Sequence, residues 1–248
     1  MWLRFSHGAA ANKVPPHARN AARCLPRLLH SSVPDRAQGS QLLSKELSKA
    51  RSVSELVTMH RDYRAGVSHA HIPTLWHKLS SLSRKSKQRL WLKEHSPQLA
   101  SLCEHTVELV PEIGTRRLAS IAGSLARTGL SGPPFTAMWA ALDVEAQATL
   151  GECDAKELSS VAWAFAAAPR RAPGLFEGLA AEAQLRLDEF NAQNISDTAW
   201  AFGKARHAAP ALFEALGMEV GRRETTEREL CEVRHVISRA SEHVSRAY

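Results

Sequence analysis

The sequence predicts an all-α protein, an α-α superhelix (solenoid) of stacked helical hairpins. Three observations predict it: the chain repeats itself every 37 to 40 residues, each copy carries apolar residues at helical spacing, and no β pattern competes. Shifted by 37, the segment LSSVAWAF ending at Phe165 falls on ISDTAWAF ending at Phe202, and APGLFEGL from Ala172 falls on APALFEAL from Ala209. Over residues 158–180 against 195–217, 12 of 23 positions are identical, so the repeat is genuine.

In order, residues 1–36 read as a mitochondrial transit peptide. No acidic residue precedes Asp35, while Arg4, Lys13, Arg19, Arg23 and Arg27 are interspersed with Trp2, Leu3, Phe5, Leu25, Leu28 and Leu29. This points to the mitochondrial matrix, with a plastid as the alternative. Residues 37–69 are expected to form a basic helical cap, with a helix around Ser52–Tyr63. Residues 70–222 are expected to hold about four helix-turn-helix units. The first runs from Ile72 to Leu82 and from Pro97 to Val110; the second is built on Leu118, Ile121, Ala122 and Leu125, then Phe135 and Trp139. The third places Leu158, Val161, Ala162 and Phe165 on one helical face, and Leu175, Phe176 and Leu179 on the next helix. Pro173 and Pro210 mark the starts of second helices, because proline is tolerated in a first turn. Residues 223–248 read as a capping helix with a single stripe of Leu230, Val233, Ile237, Ala240 and Val244.

Composition narrows the function. Of the 32 Lys and Arg, 17 lie in residues 1–100 against 5 acidic residues, so a basic front precedes an acidic back. No apolar run is long enough for a membrane helix, and no membrane insertion is expected. Four scattered cysteines, without a C-x-x-C pair, exclude a disulfide scaffold and a zinc ribbon. Neither a phosphate-binding loop nor a H-E-x-x-H helix is present. His60, His69, His71 and His77 lack Cys or carboxylate partners at ligand spacing and read as bystanders. Cys103, Cys153 and Cys231 read as buried small apolar residues. No enzyme, cofactor, metal or small-molecule substrate is expected.

The stretch FNAQNISDTAWAF, Phe190 to Phe202, resembles the core of the octotricopeptide class of organellar helical repeats. FAST-kinase-like mitochondrial proteins and helical-repeat subunits of RNA-editing substrate-binding complexes carry related repeats. The resemblance is specific over about 154–217 and loose over 70–150. It implies an α-α superhelix, import into an organelle, and a role in RNA processing, stability or translation. Many such proteins end in a RAP domain; no β-rich segment here matches one, so no nuclease activity is carried over.

The face opposite the apolar stripe supplies the candidate RNA contacts. In the third unit it carries Lys156, Ser160, Trp163, Ala164 and Ala167, and in the fourth Gln193, Asp197, Trp200, Ala201 and Lys204. In the second it carries Arg116, Ser120, Gly123, Ser124 and Arg127. Amides and carboxylates can bond base edges, cations can hold phosphates, and an indole can stack on a base. Trp163 and Trp200 either do this or pack between units. Arg84, Lys85, Lys87 and Arg89 are candidates for nonspecific phosphate contacts or form a plain basic loop. The expected partners are single-stranded organellar RNA and other ribonucleoprotein subunits. The competing expectations are a protein–protein scaffold within an organellar ribosome or editing complex, and a piece of a longer product carrying an effector domain.

Overall fold

The computed structural model describes residues 36–168, 170–223 and 227–245, and the proposed transit peptide lies outside them up to Asp35. All regular structure among these residues is helical: α1 (Arg36–Ser48), α2 (Val53–Asp62), α3 (Ile72–Ser83), α4 (Ser86–Glu94), α5 (Ala100–Leu109), α6 (Thr115–Thr128), α7 (Pro133–Thr149), α8 (Ala155–Ala166), α9 (Pro173–Leu185), α10 (Ala192–Ala205), α11 (Pro210–Arg222) and α12 (Glu227–Ser245). None of the described helices is long and apolar enough to cross a membrane. The chain divides into two units between Leu42 and Leu43, and all the stacked hairpins belong to the second.

Two layers build that unit. In the inner row α3, α6, α8, α10 and α12 pack each against the next, and in the outer row α5, α7, α9 and α11 do the same. Four hairpins are thereby stacked into a superhelix, and α12 closes the inner row against α10 and α11. The stripes expected from the sequence are the core: Leu118, Ile121, Ala122 and Leu125, then Leu158, Val161, Ala162 and Phe165, are at most 2% exposed. On α12, Val233, Ala240 and Val244 are buried and Ile237 packs against the core; the side chain of Leu230 lies outside the described residues.

Local sequence explains where the helices start. Asp154 and Glu157 form a reciprocal capping box on α8, and Asn191 and Asn194 repeat it on α10. Outer helices open on Pro133, Pro173 and Pro210. The units are also joined alike. Trp139 meets Phe165 edge-to-face at 5.2 Å, and Phe176 meets Phe202 in the same way at 5.1 Å. At the end of α9, Arg186 donates to the Cys153 and Gly151 carbonyls and pairs with Glu182. Thirty-seven residues on, Arg223 donates to the Phe190 and Leu187 carbonyls and pairs with Glu219. Gly203 lets α12 come close: a Cβ there would stand 2.7 Å from Ala240 Cα.

Two expectations are corrected. Residues 86–94 are helix α4, inserted between the two helices of the first hairpin, rather than a basic loop. Gln88 Oε1 ties α4 to the start of α2 by accepting from the Val53 N–H at 2.8 Å. Ala164, Ala201 and Ser124, placed by the helical wheel on the open face, are 0% exposed. An inner helix is flanked by a neighbour on each side as well as by the outer layer, which leaves only a narrow open sector.

Candidate nucleic-acid interface

The 40- and 37-residue offsets align equivalent positions of α6, α8 and α10 in four rows. They read Arg116, Lys156, Gln193; Ser120, Ser160, Asp197; Gly123, Trp163, Trp200; and Arg127, Ala167, Lys204. Because these helices pack side by side, the open sector runs from a row of two cations and an amide, through a hydroxyl and carboxylate row and an aromatic row, to a second basic row with Arg127 and Lys204. Seven of the twelve residues, Arg116, Ser120, Arg127, Lys156, Ser160, Trp163 and Asp197, line one groove of about 680 Å³. Ala119, Asp154 and Glu157 complete its wall.

The aromatic row is a ladder. Trp163 and Trp200 stack with centroids 6.2 Å apart and planes inclined by 23°. The Arg127 guanidinium lies 5.8 Å from the centroid of the Trp163 ring, within cation–π reach. Gly123 stands where a third tryptophan would come, and Arg127 fills that space: a Cβ on Gly123 would lie 3.5 Å from Arg127 Nη1. The guanidinium is held by Ser124 Oγ at 3.1 Å and Ser80 Oγ at 3.4 Å. Burial, and then the charge of Arg84, lower the Arg127 pKa. Trp163 is half-buried, whereas Trp200 is 39% exposed.

Of the three groove carboxylates, two are committed to the frame. Asp154 accepts from the Glu157 N–H at 2.7 Å, and Glu157 accepts from the Asp154 N–H and from Thr115 Oγ1 of α6. The third, Asp197, accepts from Gln193 Nε2 through Oδ1 at 2.8 Å, and its Oδ2 has no partner among the described residues. Burial raises the Asp197 pKa, against the opposing effect of the Gln193 hydrogen bond.

The remaining candidates lie off the groove wall. Gln193, Trp200 and Lys204 are exposed on α10. Arg84, Lys85, Lys87 and Arg89 are exposed around the start of α4, with Arg89 also donating to the Ser83 carbonyl. Asp154 and Glu157 were absent from the sequence-derived face, although their D-x-x-E spacing ahead of an apolar run is a readable helix-start signal. The histidines go to different partners. His69 meets Glu112, His71 accepts from the Ser68 N–H, and His60 pairs with His105 at 3.0 Å. Burial pushes the thiols of Cys103 and Cys153 up to about 12 and about 11; the burial of Cys231 lies outside the described residues. Neither a protein-family model nor a curated protein matches this chain.

Proposed function

We propose that this protein binds single-stranded RNA along its inner helices, without catalysis, in organellar RNA processing, stability or translation. One observation carries the reading: one groove is lined by cations (Arg116, Arg127 and Lys156), hydrogen-bonding groups (Ser120, Ser160 and Asp197) and the Trp163 indole, whose stack Trp200 continues beyond the groove wall. A single strand has the same three-part chemistry, with phosphates, base edges and base faces displaced sideways from one another. The organellar assignment rests on the acid-free, arginine-bearing stretch ahead of Asp35.

Fluorescence anisotropy with a labelled single-stranded oligoribonucleotide tests it. With Arg116, Arg127 and Lys156 on phosphates, log affinity should fall against log salt with a slope of about −2. Arg116→Gln/Lys156→Gln should flatten that slope by more than half. Absence of binding at low salt would overturn the reading. A protein partner is the second reading, and Val144, Leu185 and Met218, 65 to 76% exposed on three outer helices, are apolar side chains that such a partner would cover.

A further inference from the structure

The hydroxyl and carboxylate row differs from unit to unit: Ser120 on α6, Ser160 on α8, Asp197 on α10. A carboxylate is an unexpected wall for a polyanion. It repels phosphate, so it adds to affinity only where a base presents N–H donors to it. Gln193 fixes the carboxylate by occupying Oδ1, leaving Oδ2 and the amide oxygen Oε1 as two acceptors without partners among the described residues. Burial has already stripped part of the water from Asp197, so a donor arriving there replaces little solvation.

Counting donors selects the base. On its Watson–Crick edge neutral adenine offers the N6 amine beside the acceptor N1. Cytosine offers the N4 amine beside the acceptor N3, and uracil a single N3–H between two carbonyls. Only guanine presents two adjacent donors, N1–H and the N2 amine. For the others, an acceptor would face the carboxylate lone pairs, which costs affinity. A purine also gives the larger face for the indoles of the neighbouring row.

We propose that the groove is selective for guanine in single-stranded RNA, with Asp197, steadied by Gln193, accepting from the guanine Watson–Crick edge. The inference rests on the proposed RNA binding and extends it from a class of ligand to a base. The selectivity is local to α10, because the equivalent positions on α6 and α8 are serines, which donate and accept and so discriminate weakly.

The test uses the whole protein and short oligouridine strands carrying one central guanine, inosine, adenine or cytosine, with plain oligouridine as reference. The guanine strand should bind about tenfold tighter than the reference, with inosine, which lacks the N2 amine, in between. Asp197→Asn should abolish the preference, so that the guanine strand and plain oligouridine bind alike. Equal binding of all strands by the wild-type protein, or a guanine preference that survives Asp197→Asn, overturns the inference and leaves RNA binding standing. Failure of every strand to bind at low salt overturns the RNA reading and the base preference together.

Discussion

The third and fourth hairpins, α8 to α11, and the first, α3 to α5, occupy the same two layers but are held by different chemistry. In α8–α11 the same devices recur 37 residues apart: a reciprocal helix-start box, an edge-to-face aromatic pair and an arginine on the carbonyls ahead of the inner helix. The first hairpin has one-off polar bonds instead. Trp76 Nε1 donates to Thr106 Oγ1 at 3.0 Å, Arg64 forms two 2.9 Å bonds to Glu108, and His60 is paired with His105. The repeated region therefore draws its stability from one apolar interface used twice. The front draws it partly from buried groups whose protonation matters.

Removing the repeated aromatic contact should have the largest effect. Phe202 and Phe165 are at most 2% exposed and each meets an aromatic ring of the preceding unit's outer helix. Phe202→Ala and Phe165→Ala should each cost about 3–5 kcal/mol in urea unfolding. Their losses should agree closely. A large disparity would show that the two interfaces are equivalent in geometry but not in energy.

The front should reveal itself through pH. Burial first, then the charges of His105 and Arg64, lower the pKa of His60 from 6.5 to about 4, and burial lowers that of His105 in the same direction. Between those two values the unfolded chain binds the proton that the folded chain refuses. Stability should thus be fully present above pH 6.5 and decline as the pH falls towards about 4, by roughly 3 kcal/mol from His60. His60→Leu/His105→Leu removes both partners and should flatten this decline, whereas Phe202→Ala should leave its slope intact. An unchanged acid profile in the double variant would assign the decline to other groups.

The regular region was legible in sequence because its determinants are local and copied. Leu158 to Phe165 repeats as Ile195 to Phe202, and the prolines opening α9 and α11 are themselves turn-level signals. The front was less legible. Helix α4 has few apolar residues, and its anchor, Gln88 on the Val53 N–H, is a contact between residues 35 apart. The pairing of His60 with His105 spans 45 residues and has no local signature. The arginine clamps were overlooked although they recur, since beyond Leu216 the identity between units thins to Glu219 and Arg223, and a glutamate and an arginine four apart read as an ordinary helix-surface pair. For the candidate interface, the wheel found the right side of each helix but drew it too wide. Ala164 and Ala201 point towards neighbours that a single-helix projection omits.

The smallest effect concerns the helix starts. Asp154 takes the Glu157 N–H at 2.7 Å and Asn191 takes the Asn194 N–H at 2.8 Å, so each satisfies one otherwise free donor. Asp154→Ala and Asn191→Ala should each cost about 1 kcal/mol in thermal or urea unfolding. Each box also reaches the preceding inner helix: Glu157 accepts from Thr115 on α6, and Asn194 donates to Ser159 on α8 at 3.0 Å. These cross-helix bonds belong to the residue three positions after the cap, so the cap variants leave them a partner. The two losses should therefore add in the double variant. A double loss clearly larger than the sum would mean that loosening one helix start loosens the next. The repeated interface would then transmit strain from α8 to α10 instead of merely stacking the two.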